Sequence, residues 1–381
     1  MERKVFYWCP FIDNVATVKA VINSCYGLKK YCKNINPIII NCFGEFDEYE
    51  KLLAEMQIRL INLNKYKFIK KMPTKGFIFS RLLYVVIFFI SFSSLVKLIK
   101  QEKPDYFISH LITSLPLMCF NLFNFKTKHI LRISGFPKLN FFRYYLWKLS
   151  NKNIHLITCP TIGTLNNLKI AKIFDPEKIC LLEDPIIHVK KLKNKNEKME
   201  EEYLKKNEFI LGVGRLTKQK NFELLLNFFK IIRKDNSHLK LVIIGKGENQ
   251  NLMEKFINDN CLKDRVYMLG YKKNVYKYMY NASVFVLSSK WEDPGFVLVE
   301  AAASRSFIIS SDCPNGPKEI LSNGNNGILF KNNDIEDLKE KFLRFKKINL
   351  NDKKKMNLSA LKNIRKYTIF SHTKKLKEIL I

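Results

Sequence analysis

The sequence predicts an α/β protein of two Rossmann-like domains, each a parallel sheet with helices on both faces, facing one another across a cleft. Three observations carry this. The chain has 381 residues, too many for one ordinary domain and well suited to two. Short, nearly continuous apolar runs alternate with amphipathic stretches along most of it, as expected for strands buried on both sides. The stretch VKKLKNKNEKMEEEYLKK at 189–206 splits that alternation into two sets and has almost nothing to bury, so it reads as an interdomain linker.

The first domain is accordingly expected at 1–188. Its strand candidates are KVFYWC (4–9), PIIINC (37–42), DYFISH (105–110), HILRIS (129–134), HLITC (155–159) and KICLLE (178–183). Asn14 stands as an N-cap before Val15, Val18, Ile22 and Cys25, which recur at helical spacing. Leu82 to Val96, LLYVVIFFISFSSLV, carries no charge over fifteen residues. That is short of the roughly 20 residues of a membrane-spanning helix. It reads as a helix buried in the first domain or lying against a membrane surface.

The second domain is expected at 207–365, with strands EFILGVG (208–214), LKLVIIG (239–245), RVYMLG (265–270), ASVFVLSS (282–289), SFIISSD (306–312) and GILF (327–330). A C-terminal helix at 366–381 is able to pack back on the first domain. Several second-set strands end in Gly or Ser just before a helix, where the ligand crevice of an open parallel sheet lies.

Composition narrows the function. Apolar residues make up 47%, with 30 Phe and 16 Tyr, enough for two cores and too many for a disordered chain. The net charge is +31, from 55 Lys and 11 Arg among its bases. Scarcity of the bidentate guanidinium argues against a reader of nucleic-acid sequence. A solvated lysine-rich surface accounts for most of the charge. Its consequence is attraction to anionic lipid headgroups and phosphate-bearing substrates. The nine cysteines form no CxxC pair and no metal-ligand spacing, which fits reduced, buried thiols in a cytosolic protein. No signal peptide is expected, because Met1 to Lys4 leads straight into a short strand-like run ending at Pro10.

Three constellations could carry chemistry. In GVGRLTKQKNFELLL, Gly212 to Leu226, a strand ends in two glycines and a basic loop leads to a helix starting near Asn221. Glycines let backbone amides approach an anion, the helix N-terminus adds positive potential, and Arg215 and Lys220 bring full charges. A diphosphate suits this loop, and a tight turn with solvated bases would look the same. No GK[ST] follows, so it is not a Walker A loop. GKGENQ, Gly245 to Gln250, lacks the third glycine of a dinucleotide fingerprint and reads as a turn lining the crevice. Finally, WEDPGFVLVEAAA, from Trp291, puts Glu292 on a loop, a Pro-Gly turn after it, and Glu300 in the helix that follows. Carboxylates accept hydrogen bonds from vicinal hydroxyls, while amides near Phe296 and Val297 would hold phosphate oxygens. A dipole-compensating Glu and one surface acid are the plainer alternative.

Together these residues resemble the nucleotide-sugar-binding half of glycosyltransferase family 4, the retaining, metal-independent enzymes of GT-B fold. The family pattern G-x-G-R-x-x-x-x-K is met by Gly212, Gly214, Arg215 and Lys220, its acid-x7-acid pair by Glu292 and Glu300, and its Asp-to-Gly-Pro-x-Glu-Ile segment by Asp312 to Ile320. The first domain is similar more loosely, in VKAVINSCYGLKK and KPDYFISHLITSLPL, to members that build bacterial surface polysaccharides. The resemblance implies that Arg215 and Lys220 neutralise the donor diphosphate, that Glu300 binds the ribose, and that Glu292 binds the transferred sugar. It further implies that the amides of Gly295, Phe296 and Val297 contact phosphate or sugar and that Tyr271 flanks the base. Arg215, Lys220 and Glu292 are the catalytic candidates. Gly214 lines the donor site beside them.

The chain departs from the pattern in places. DPGF stands where the family more often has E-G-F-P. Many members carry a His at the end of a first-domain strand; HILRISG offers Ser134 and Gly135 there, while His110 ends the preceding strand. His110 and Arg132 are therefore acceptor-side candidates. The usual Gly-rich loop after the first strand is replaced by CPFIDNVA, leaving Asn14 and its neighbours in that place.

The resemblance implies sugar transfer from a nucleotide-sugar, a UDP-sugar favoured, to a saccharide or lipid-linked saccharide. The products would be lipopolysaccharide, O-antigen or capsule. No D-x-D metal motif occurs in the chain, so no metal and no cofactor is expected. Fixed cations would take over the metal's role. The expected location is cytoplasmic, against the anionic inner face of the cytoplasmic membrane, with no nucleic-acid partner. A sugar-nucleotide epimerase of the same shape and a basic nucleic-acid-binding protein are the alternatives.

Overall fold

The computed structural model describes residues 2–381 apart from 12–14, 65–76, 136, 138, 206 and 207. The chain forms two compact units, one of residues 1–185 with 369–381, the other of residues 186–368.

The first unit runs β1 (Arg3–Trp8), α1 (Ala16–Tyr31), β2 (Ile35–Asn41), α2 (Glu50–Glu55), β3 (Arg59–Asn62), α3 (Phe77–Glu102), β4 (Tyr106–Ser109), α4 (Ser114–Leu122), β5 (Lys128–Arg132), α5 (Phe141–Ser150), β6 (Ile154–Cys159), α6 (Ile162–Ile170) and β7 (Ile179–Leu181). Its seven strands are all parallel, in the order β3-β2-β1-β4-β5-β6-β7. Period-two alternation sorts the side chains between two faces. Val5 and Tyr7 join α1, while Phe6 and Trp8 join α3 and α4. The short edge strand β3 has no counterpart among the sequence expectations.

Two expectations change here. Asn14 lies outside the described residues, and α1 begins at Ala16 with Val15 at its N-cap position. The uncharged run at 82–96 is the middle of a longer helix, α3, long and apolar enough by composition to cross a membrane. Leu83, Ile87, Leu95 and Ile99 nevertheless pack into the sheet core, one per helical turn or so, as in a surface helix with one buried face.

The C-terminal helix, α15 (Ile369–Leu380), lies on α1 within this unit. Gly27 makes the contact possible, because a Cβ there would stand 2.0 Å from Thr373 Oγ1.

The second unit continues with α7 (Glu202–Lys205), β8 (Phe209–Val213), α8 (Phe222–Ile232), β9 (Lys240–Ile244), α9 (Gln250–Asp259), β10 (Val266–Met268), α10 (Tyr276–Asn281), β11 (Val284–Leu287), α11 (Phe296–Ala303), β12 (Ile308–Ser311), α12 (Pro317–Ile320), β13 (Ile328–Phe330), α13 (Ile335–Lys347) and α14 (Leu350–Asn363). Its six parallel strands follow the order β10-β9-β8-β11-β12-β13. Helices α8, α9 and α13 cover one face; α10, α11 and α14 cover the other.

The stretch 189–206, expected to be a linker, is instead a packed part of this unit. Met199 and Leu204 enter the core cluster. Glu201 is the half-buried anchor: it accepts a hydrogen bond from Lys272 Nζ at 2.7 Å and from the Tyr278 hydroxyl at 2.8 Å. Its charges looked solvated because their partners lie some seventy residues downstream.

Candidate active site

In the second sheet the chain builds outward from β8 in one direction as β9 and β10, then returns to β8's other side with β11. This is a topological switch point, where loops leaving β8 and β11 diverge and open a crevice. Because all strands are parallel, the segments after β8, β9, β10, β11 and β12 emerge at one edge. These are the segments that hold Gly214 and Arg215, Gly245, Tyr271, Glu292 and Asp312.

The two loops at the switch point are tied together. Lys290 N donates to Gln219 O at 2.8 Å, Gln219 Nε2 to Trp291 O at 2.9 Å, and Ser288 Oγ to Lys220 O at 2.9 Å. Across this junction Lys220 Nζ meets Glu292 Oε1 at 2.5 Å, and both side chains are largely buried. Ser289 Oγ donates to the same oxygen at 2.5 Å. Gly214 leaves room for the Lys220 stem, which would lie 3.3 Å from a Cβ at that position. Arg215 is exposed beside it. The buried Thr217 hydroxyl in this loop has no hydrogen-bond partner among the described residues.

The GKGENQ turn supports this loop from behind. A Cβ on Gly245 would come within 1.8 Å of Gly214 O, and one on Gly247 within 2.4 Å of Leu216 O. Gly214 N donates to Ile244 O and Leu216 N to Lys246 O, each at 3.0 Å. Both glycines thus serve a close backbone approach.

On the other side, Gly295 sits in the left-handed region at the N-cap of α11, whose first amides have no intrahelical acceptor. Glu300 lies in α11 and is buried. The 312–320 segment braces the turn: Glu292 N donates to Pro314 O at 3.1 Å, and a Cβ on Gly316 would fall 1.9 Å from Pro294 O. Tyr271 follows β10 with its side chain 72% exposed. The structure therefore gathers Gly214, Arg215, Lys220, Tyr271, Glu292, Gly295, Phe296, Val297 and Glu300 along one edge of one sheet.

The remaining candidates belong to the first unit. His110 follows β4, its ring stacked on Tyr7 with centroids 5.9 Å apart. Neither ring nitrogen has a partner among the described residues. Burial, with Arg132 and His372 adding, holds its pKa well below the usual histidine value, so the ring is neutral. Arg132 is buried, and its guanidinium is spent inside the fold. Nη1 donates to Leu182 O and Nη2 pairs with Asp184 Oδ1, both at 2.6 Å. These residues line a cavity of about 20 Å³, room for one water, together with Tyr7 and His372.

Sequence reasoning did not single out Ser288, Ser289 or His372. The serines close the ASVFVLSS run and looked like strand-end residues. His372 bonds Ser24 Oγ at 2.9 Å and Glu183 O at 2.6 Å, partners 348 and 189 positions away. Cys313 lies near the Lys220–Glu292 pair, but burial pushes its thiol up to about 12, which leaves it protonated and unsuited to act as a nucleophile.

Residues 193–365 match the model of the family "Glycosyl transferases group 1". An uncharacterized glycosyltransferase of Methanocaldococcus jannaschii is 30% identical over 256 residues, 60% of this chain and 60% of that protein. The N-acetylgalactosamine-N,N'-diacetylbacillosaminyl-diphospho-undecaprenol 4-alpha-N-acetylgalactosaminyltransferase of Campylobacter jejuni is 29% identical over 216 residues, 55% and 57% respectively. The chain thus spans less than two thirds of the length of these relatives. Among solved structures, a glycosyltransferase of Rickettsia africae superposes with a TM-score of 0.79 at 15% identity, covering 100% of this chain and 98% of that one. HepE of Anabaena, solved with UDP and glucose, gives 0.74 at 13% identity, covering 100% and 99%. Residues 193–365 are thus similar to the group 1 glycosyl transferases, and the chain is built on two Rossmann-like parallel sheets of the GT-B fold.

Proposed function

We propose that the chain transfers a sugar, with retention and without a metal, from a nucleotide-sugar to a saccharide or lipid-linked saccharide in bacterial surface-polysaccharide synthesis. A UDP-sugar is the favoured donor. The observation that carries this reading is the Lys220–Glu292–Ser289 cluster at the switch point beside the N-terminus of α11. It sets a fixed cation where a leaving diphosphate would be stabilised and a carboxylate where sugar hydroxyls would be gripped. Arg215 adds a second charge from the same loop, and Glu300 accepts from the ribose. The chain has no D-x-D motif, and no group of three or more His, Cys, Asp or Glu side chains suited to a metal occurs among the described residues. The UDP bound to HepE and the undecaprenol-linked acceptor in the Campylobacter enzyme's name favour the same donor and acceptor classes here. The acceptor's proton would pass to the departing phosphate, since burial makes His110 a weak base.

Two assays test this. A thermal-shift panel of UDP-, GDP-, ADP- and dTDP-sugars should raise the melting temperature with the true donor alone. Radiolabelled transfer from that donor should survive EDTA and fall ~100-fold in Lys220→Ala. Loss of transfer in EDTA with rescue by manganese, or near-normal Lys220→Ala turnover, would overturn the reading. Release of an epimerised sugar-nucleotide without acceptor would point to the isomerase alternative.

A further inference from the structure

We propose that helix α5, with the acid-free stretch around it, docks the first unit on an anionic lipid bilayer. Asn140 caps this helix by accepting a hydrogen bond from Arg143 N at 2.9 Å. Trp147 and Ser150 turn inward and are buried. On the outward side Phe141, Phe142, Tyr145 and Leu149 are 78%, 79%, 54% and 60% exposed. The spacing of 141, 145 and 149 aligns three of them along one helical face, and the rings of Phe141 and Tyr145 stand 4.4 Å apart. Four large apolar side chains facing water on a ten-residue helix form a patch of the kind that marks an interaction surface.

The charge around this helix is as one-sided as its face is apolar. From Tyr106 to Phe174 the sequence holds nine Lys or Arg and no Asp or Glu, in a chain with 35 acids. Lys148 and Lys152, on and just after the helix, are exposed. Acids are thus absent from this stretch of sequence while exposed aromatics are kept; the first acid beyond it, Asp175, meets Asn151 just past the C-terminal end of the helix. A bilayer meets both features: its hydrocarbon boundary receives Phe and Leu, and its anionic headgroups receive lysine. A nucleic acid would satisfy the lysines and leave Phe141, Phe142 and Leu149 with no hydrocarbon to enter. A second copy of the chain would bring its own lysines against these. Helix α3 also exposes Tyr84, Val85 and Phe89, and α4 lies against both α3 and α5. The balance favours α5, since α3 spends a complete face on the core. Docking of this kind is shallow and reversible, needing both the apolar and the electrostatic contribution. The inference deepens the membrane-side acceptor reading above and rests on it only for why docking is useful.

The test is co-sedimentation of the full chain with vesicles of phosphatidylcholine alone or mixed with phosphatidylglycerol. The wild type should partition at least tenfold better onto the mixed vesicles at low salt, and the advantage should shrink as salt rises. F141S/F142S should bind at least tenfold more weakly, while K148E/K152E should lose the preference for phosphatidylglycerol. Both variants should keep the wild-type melting temperature and donor-induced thermal shift, so that a failed donor reading and a failed docking surface are told apart. Unchanged vesicle binding by F141S/F142S overturns the proposal. So does loss of binding in F89S but not F141S/F142S, binding to nucleic acid but not to vesicles, or a lipid-free dimer that F141S/F142S dissociates.

Discussion

Both units place a topological switch in a parallel sheet, between β1 and β4 in the first and between β8 and β11 in the second, and the groups standing there differ. At the second switch a lysine and a glutamate face each other at 2.5 Å, with an exposed arginine in the same loop. At the first, the corresponding place after β4 holds His110, neutral, stacked on Tyr7 and backed by an arginine that is already paired. One architecture thus carries a paired cation and carboxylate at one switch and, at the other, a neutral ring backed by an arginine that is already paired. The contrast illustrates that activity resides in the loops grafted on a fold, not in the fold itself.

Glycines sharpen the comparison, because each unit uses a missing Cβ for a different purpose. In the second unit Gly316 lets the 312–320 segment touch Pro294 beneath Glu292; in the first, Gly27 seats α15 on α1. Gly316 has φ near +120°, so an alanine there meets both a backbone clash and a left-handed strain. Gly316→Ala should cost about 4 kcal/mol in denaturant unfolding. It should also abolish donor-induced thermal stabilisation. Gly27→Ala should cost about 2 kcal/mol, with the Thr373 side chain yielding, and leave the donor shift intact. If Gly27→Ala erased the donor response and Gly316→Ala did not, the assignment of donor binding to the second unit would be wrong.

A second break between the units is their response to acid. His129 and His372 are buried in the first unit, and burial lowers each from the usual 6.5 to about 3. The unfolded chain therefore takes up protons between pH 6.5 and about 3 where the folded chain does not. Stability from these groups is complete above 6.5 and is lost as the pH falls toward 3. By pH 5 the loss is about 2 kcal/mol for each histidine. No comparable buried histidine is found among the described residues of the second unit, where His188 and His238 are the only histidines. Fluorescence or hydrogen exchange that resolves the units should show the first melting earlier at pH 5 than at pH 7. A melting point of the first unit unchanged between pH 7 and pH 5 would contradict the buried, neutral state of these rings.

How far the sequence disclosed this molecule follows from how local each signal is. The strand–helix alternation and the glycine-, base- and acid-bearing loops are written over ten to thirty consecutive residues, and they point to both sheets and to the loops that meet at the Lys220–Glu292 pair. Strand β3 escaped because its four residues, Arg59 to Asn62, lie at a sheet edge with polar, exposed residues at both ends and little buried surface. The 189–206 stretch was misjudged because Glu201 finds Lys272 and Tyr278 only after folding. Arg132 looked like an acceptor-side cation because its partner Asp184 is fifty-two positions away. In the last two cases the missing information was a long-range partner of a charge.

Ser289 is the smallest such omission, and it gives the finest test of the comparison. Its hydroxyl and the Lys220 ammonium converge on one oxygen of Glu292, so the serine fixes where that carboxylate stands relative to the cation. Removing it leaves the Lys220–Glu292 pair but frees the carboxylate to rotate about it. A hydrogen bond of this kind contributes about 1 kcal/mol. Ser289→Ala should therefore lower kcat about fivefold if Glu292 grips the transferred sugar in the transition state. KM for the donor should hold, because Lys220 and Arg215 still meet the diphosphate, and Ser289→Thr should restore the rate. A rise in KM at constant kcat would instead make the serine a support for donor binding. An unchanged rate would remove it from the site and leave the Lys220–Glu292 geometry to the backbone braces at Gln219 and Pro314.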